Sequence, residues 1–259
     1  MKSRIGSVPY LNSLPLFQGV LISGGNLTVL FDYPSNLAKG LRNRSFHAAL
    51  CPTLLALKSD HYQILPSYGI ISRGPVKSVH LYSRKDPKDW QNVFMDIHSM
   101  SSVALTEVLC QKHFKNKAEI TNTNKAEDAD AYLLIGDIDM AHKPAKGYHS
   151  WDLGEEWDKL TGLPFLYAAW LARHDIDSAS KQLLNEAYVD PTSEILQEVL
   201  PDFVKNIPGL NINEATHYLT NHIHYNITDD VWEGFNTFVN YLDECRFLNN
   251  KKYRIAASE

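Results

Sequence analysis

Arg4-Ile5-Gly6-Ser7-Val8 reads as a short apolar strand, and Pro9-Tyr10-Leu11-Asn12-Ser13 breaks it into a polar loop. Leu14 to Leu21 has the composition of a helix, with Ser13 at its cap and Pro15 in its first turn. Gly24-Gly25-Asn26 turns the chain into a second strand, Leu27-Thr28-Val29-Leu30-Phe31. After the break at Tyr33-Pro34-Ser35-Asn36, residues 37–42 form a helix, and Ala48-Ala49-Leu50 is a buried strand ending at Cys51-Pro52-Thr53. Strand, helix, strand, helix, strand is the rhythm of a parallel sheet with right-handed crossovers. Ligands of such sheets gather at the carboxyl ends of the strands, which here carry Asn12, Ser13 and Thr53.

Further along, residues 68–83 read as two strands joined by a tight turn at Arg73-Gly74-Pro75, with Ser72 and Ser78 on either side. The charged, Pro-interrupted segment Arg84-Lys85-Asp86-Pro87-Lys88-Asp89 is the expected domain crossing. A second α/β unit begins with a strand at 93–95. Asp96-Ile97-His98-Ser99-Met100-Ser101-Ser102 then reads as a hydroxyl-rich loop opening a helix that runs to about His113. Such a loop offers free N–H groups and the positive end of a helix dipole to an anion, although Ser101 also suits a plain cap.

A short strand is expected near Ala118-Glu119-Ile120. Ala131-Tyr132-Leu133-Leu134-Ile135 is apolar enough for a buried parallel strand, and it delivers Gly136-Asp137 to the same face as Ser101 and Ser102. Residues 151–164 read as a helix closed by Gly162 and Pro164, and 165–173 as a central strand returning to the first domain. The remainder is helical, with Asp190-Pro191 opening one helix and Thr228 another. In the latter, Val231, Trp232, Phe235, Phe238, Val239, Leu242 and Cys245 form an apolar face at helical spacing. The expected architecture is α/β in two lobes. Residues 1–84 and 172–259 make lobe 1, residues 85–171 make the inserted lobe 2, and a small ligand binds in the cleft between them.

Composition narrows the function. With 44% hydrophobic and 21% charged residues, the 259-residue chain is that of an ordinary folded protein. A net charge of −5 gives no footing for nucleic acid or an anionic membrane. Three cysteines, Cys51, Cys110 and Cys245, are too few and too scattered for a disulfide framework, which predicts a reducing, cytoplasmic setting. The run into a strand by Ile5 leaves no room for an apolar leader, and no stretch approaches the roughly 20 apolar residues of a membrane span.

Chemistry-bearing motifs are sparse. His222-Ile223-His224, with His217 nearby, falls in a region read as helix, where i and i+2 diverge, so no metal is predicted. A hydrolase elbow, a Walker loop and a dinucleotide fingerprint are all missing from the sequence. What remains is a set of small polar groups at strand ends: Asn12, Thr53, Ser72, Ser78, Ser101, Ser102 and Asp137. Singly each reads as a turn or cap residue; together they suit a polar acid bound at two helix N-termini.

Several segments carry a resemblance. Residues 5–16 (Ile5-Gly6-Ser7-Val8-Pro9-Tyr10-Leu11-Asn12-Ser13-Leu14-Pro15-Leu16) resemble the opening of the futalosine-pathway menaquinone enzymes, specifically the chorismate dehydratase family. The likeness continues through residues 71–79, Asp96-x-x-Ser99-x-Ser101-Ser102, Leu133-Leu134-Ile135-Gly136-Asp137 and residues 152–165, covering about 4–173 in the family's order. It implies the fold of type II periplasmic binding proteins and a cofactor-free reaction. Water is removed from the dicarboxylate chorismate to give 3-[(1-carboxyvinyl)oxy]benzoate, driven by aromatisation of the ring.

A sister naphthoate synthase has a histidine base just after the strand that here runs into Gly136-Asp137, which favours the dehydratase. The family's Arg-Thr-Ser in the opening loop reads Met100-Ser101-Ser102 in this chain. The resemblance implies that Ser101, Ser102 and Thr53 hold one carboxylate and that Ser72 and Ser78 help with the other. Asn12 then orients the departing hydroxyl. Asp137 is the strand-end carboxylate available as proton acceptor, with the substrate's own enolpyruvyl carboxylate as the other candidate. The competing class is a solute-binding protein that captures a small carboxylate and does no chemistry.

Overall fold

The computed structural model describes residues 3–24, 27–57, 59, 61–95, 100–121 and 128–245. The chain divides into two units, one built from residues 1–71 and 166–228, the other from 72–165 and 229–259.

In the first unit the expected rhythm is present. β1 (Ser3–Ser7), α1 (Leu14–Ile22), β2 (Leu27–Phe31), α2 (Pro34–Arg42) and β3 (Ala48–Pro52) follow in order, and β1 pairs in parallel with both β2 and β3. β4 (Tyr62–Ser72) enters the same sheet beside β10 (Phe165–Arg173), which lies antiparallel to β3; β11 (His224–Asn226) adds an edge. The order is β11-β4-β10-β3-β1-β2. This unit also holds the helices α3 (Leu54–Leu57), α7 (Ser178–Glu186), α8 (Glu194–Val204) and α9 (Ile212–Asn221). β10 is apolar from Phe165 to Ala172, before it closes on Arg173, because both of its faces are covered: every residue but Ala168 is buried. On one face Leu37 and Leu41 of α2 pack with Phe46, Ala49, Cys51 and Leu171. The return strand has the bounds expected from the sequence.

The second unit holds β5 (Val79–Ser83), β6 (Asn92–Phe94), β7 (Glu119–Thr121), β8 (Ala131–Ile135) and β9 (His149–Asp152), in the order β7-β6-β8-β5-β9. Its helices are α4 (Met100–Lys112), α5 (Asp137–Ala141), α6 (Leu153–Thr161) and α10 (Asp229–Glu244). α6 is bounded by Asp152, whose carboxylate accepts from Gly154 N and Glu155 N, and by Gly162 in the left-handed region at φ 69°.

Six expectations change. The part of the chain after β10 is not all helical, since His224–Asn226 pairs with β4 as the edge strand β11. Residues 68–83 are not a hairpin. β4 and β5 belong to different sheets, so the crossing falls at 71/72 and not at 84/85, and Arg73-Gly74-Pro75 is a connection between them. β8 is parallel only to β6; its other neighbour, β5, is antiparallel. The helix expected over 151–164 begins at Leu153, because residues 149–152 pair with β5 as an edge strand. Asp190-Pro191 opens no helix: the Asp190 carboxylate takes Thr192 N and Oγ1 in a tight turn, and α8 (Glu194–Val204) starts later with Ser193 as cap. Finally, the terminal helix joins the second unit and not the first. Phe238 of α10 lies 4.8 Å from Phe165 and 5.9 Å from Trp157, ring centre to ring centre. Gly234 lets the helix lie against the chain, since a β-carbon there would stand 2.1 Å from Pro164 O.

Among the described residues no helix is long and apolar enough to cross a membrane.

Candidate functional site

In the first unit, β1 runs out into a 3-10 turn, Leu11–Ser13. The Ser13 hydroxyl folds back on Val8 O at 2.6 Å and Tyr10 O at 2.7 Å, so it secures the loop and makes no cap bond to α1. This turn leaves Asn12 half-buried. Its carbonyl accepts from Tyr225 Oη at 3.1 Å, while its side-chain Oδ1 is buried with no hydrogen-bond partner among the described residues. A buried acceptor without a donor costs about 1–3 kcal/mol, which a ligand hydroxyl offsets.

Tyr225 belongs to a row of rings the sequence reading did not single out. It lies 5.3 Å from Tyr188, which stacks on Tyr68 at 5.3 Å. Burial, with the charge of Asp190, pushes the Tyr188 phenol up to about 12, so it stays neutral. On the neighbouring strand end, Thr53 is fully buried and its hydroxyl donates to Leu166 O at 3.2 Å. Its proton is thus committed within the protein, and toward a carboxylate the group as it stands offers no donor.

In the second unit three predicted residues gather around one loop. Ser72 ends β4, with its buried Oγ unpartnered among the described residues. A β-carbon on Gly154 would stand 2.7 Å from that Oγ and 2.5 Å from Gly74 O, so only glycine lets the start of α6 approach this loop. Asp152 binds the loop from below, accepting from Val76 N at 3.0 Å and Lys77 N at 2.8 Å in addition to its cap bonds. Ser78, also fully buried, accepts from Gly136 N through its carbonyl at 2.7 Å. That bond sets Ser78 beside Gly136-Asp137, where Gly136 has φ 65° and Asp137 opens α5, half-buried.

Ser101 and Ser102 do not sit in a loop. They are the second and third residues of α4, both buried, and Ser102 O accepts from Thr106 Oγ1 at 2.9 Å. The helix therefore starts earlier than the sequence suggested, and Ser101 is not its cap; residues 96–99 lie outside the described residues. α4 follows β6, and Asp137 follows the parallel strand β8, so both stand at the carboxyl end of one strand pair.

Beside this end lies a charged cluster absent from the sequence expectations. His80 Nδ1 is 2.5 Å from Asp139 Oδ2, and Tyr82 Oη donates to Asp139 Oδ1 at 2.8 Å. Asp152 Oδ2 is 3.4 Å from His80 Nε2. Burial alone would lower the His80 pKa, but the hydrogen bond and charge of Asp139, aided by Asp152, outweigh it and raise it. Two signals for this group were present in the sequence. The Val79-His80-Leu81-Tyr82 alternation puts His80 and Tyr82 on one face, and Asp139 follows Gly136 by less than a turn.

Comparison with known proteins agrees with this layout. A family model described as menaquinone biosynthesis matches residues 3–244. Protein AF1704 from Archaeoglobus fulgidus is similar over 93% of this chain and 96% of its own, at 15% identity and a TM-score of 0.66. The periplasmic aliphatic sulphonate binding protein SsuA from Escherichia coli is similar over 96% and 89%, at 14% identity and a TM-score of 0.65. The Candida albicans CA3427 gene product, described as having the generic periplasmic binding protein fold, is similar over 99% and 95%, at 13% identity and a TM-score of 0.57. The two α/β units are thus a fold of the periplasmic-binding-protein kind.

Proposed function

This chain belongs to the menaquinone biosynthesis family, and from that membership we propose that it is a cytoplasmic chorismate dehydratase, a carbon–oxygen lyase. The reaction removes a ring proton and the neighbouring hydroxyl of chorismate as water, leaving the aromatic 3-[(1-carboxyvinyl)oxy]benzoate. The observation that carries the choice within the family is Gly136-Asp137 at the end of β8. A carboxylate opens α5 at the position where the sister naphthoate synthase has its histidine base.

The orphan polar atoms support a polar substrate. Asn12 Oδ1 is an acceptor without a donor, suited to the ring hydroxyl that departs. Ser72 Oγ is free to bind a carboxylate, with Ser78, Ser101 and Ser102 as the other buried hydroxyls assigned to the two acids of the substrate. Asp137 takes the ring proton. Each of these groups is small and uncharged except the base, which fits a reaction whose driving force is the aromaticity of its product.

The likeness to a sulphonate-binding protein favours one other reading, capture of an organic anion without turnover. Incubating the purified chain with chorismate and following the products by chromatography separates the two. Appearance of the aromatic enol ether at a rate proportional to protein supports the lyase. Unchanged chorismate bound with measurable affinity leaves a binding protein, and formation of a different product excludes this dehydratase.

A further inference from the structure

A cavity of about 260 Å³ in the first unit is lined by three arginines together with Leu41, His61, Tyr62, His174 and Asp175. Arg42 comes from the end of α2, Arg44 from the turn after it, His61 and Tyr62 from the start of β4, and Arg173 from the end of β10. Strand register places it at the opposite end of the sheet from Asn12 and Thr53. Ala172 pairs with Ala48 at the beginning of β3, and Arg173 N donates to His47 O at 2.9 Å.

Three guanidinium groups meet a single carboxylate here, Asp175, which Arg173 engages directly. Arg44 holds φ 64°, a conformation that costs a non-glycine residue energy. Tyr62 is buried, and its hydroxyl has no hydrogen-bond partner among the described residues. Burial raises its pKa, and the nearby charges of Arg42 and Arg173 pull the other way, so the phenol is a neutral donor beside two cations. The carbonyls of Lys39, Gly40 and Leu41 at the end of α2 accept from Asn43, Phe46 and Arg44, which ties down the turn that carries Arg42 and Arg44.

We propose that this cavity binds a phosphate-class oxyanion at a site separate from the proposed chorismate site. Arg173 and Tyr62 form its buried base, and Arg42 and Arg44 its exposed mouth. At about 260 Å³ the cavity has room for a phosphate group carrying a small organic substituent, and it lies below the size of a drug-like pocket. Guanidinium groups are the fitting partners, since they meet phosphate oxygens in forked pairs.

The test is a calorimetric titration of the full chain with inorganic phosphate at low ionic strength, with chloride as the control anion. Binding that weakens as salt rises is expected, and Arg42→Ala is expected to weaken it on the order of tenfold. Tyr62→Phe is expected to weaken it about several-fold without lowering Tm, because that hydroxyl has no internal bond to lose. Ser102→Ala is expected to leave it intact. No binding at about 1 mM phosphate, equal binding of chloride, or binding lost in Ser102→Ala and kept in Arg42→Ala would each overturn the assignment.

Discussion

Nδ1 of His80 and Oδ2 of Asp139 lie 2.5 Å apart in the interior of the second unit. Only the register of β5 against β8, Val79 opposite Ile135, brings them together. A histidine whose folded pKa is raised stabilises the fold fully below its unfolded value, and that contribution is lost as pH rises through the folded value. The Tm deficit of His80→Gln relative to the natural chain is therefore expected to be larger at about pH 6 than at about pH 9. Thermal melts of both proteins across that range check this, and an equal deficit at both ends would remove the charged pair from the account.

Ser72→Ala separates binding from folding. The hydroxyl has no partner within the protein, so its loss is expected to change stability by less than about 0.5 kcal/mol or to raise it. The same change is expected to raise KM for chorismate by roughly tenfold. Denaturant melts and steady-state kinetics on one preparation give both numbers; a Tm loss with unchanged KM would assign the serine to the scaffold.

Asn12→Ala removes the acceptor proposed to orient the departing hydroxyl, and kcat/KM is expected to fall by about a hundredfold. The backbone bond from Tyr225 Oη survives this substitution, so the loop keeps its tie. Unchanged kcat/KM would end the role of Asn12 in the reaction.

Asp137→Asn replaces the proposed base with an isosteric amide. A fall in kcat of about 10² to 10⁴ is expected, with KM little changed. Full turnover in this variant would move the proton transfer onto the substrate's own carboxylate.

Phe238→Ala empties a site between Trp157 and Phe165 and is expected to destabilise the protein by about 3–5 kcal/mol. Urea unfolding gives the value. A loss well under 1 kcal/mol would mean that α10 is not integral to the second unit.

Sequence pattern carried the elements whose signal is local. β10 was legible to the residue because burial on both faces demands an unbroken apolar run, and the first three strands because helices alternate with them. Pairing was not legible. Gly74 does have a positive φ of 81°, as a turn residue should, yet no feature of Arg73-Gly74-Pro75 states which sheet each flanking strand will join. The periodic face of α10 showed that Phe238 is buried but not that Trp157 and Phe165 cover it. Strand-end polarity pointed to Asn12, Ser72 and Asp137, the residues to which the proposed function gives roles. His80 and Asp139 escaped because their meaning lies in a contact 59 residues apart in sequence.

The placement of α10 also bears on how the protein is made. The chain crosses between its units at 71/72, 165/166 and 228/229, so neither unit is a contiguous stretch of sequence. On the ribosome, Trp157 and Phe165 emerge well before Phe238, and their aromatic surface waits through the synthesis of an intervening segment that belongs to the other unit. A nascent chain halted at Thr228 lacks α10, and Trp157 and Phe165 are then without their contact to Phe238.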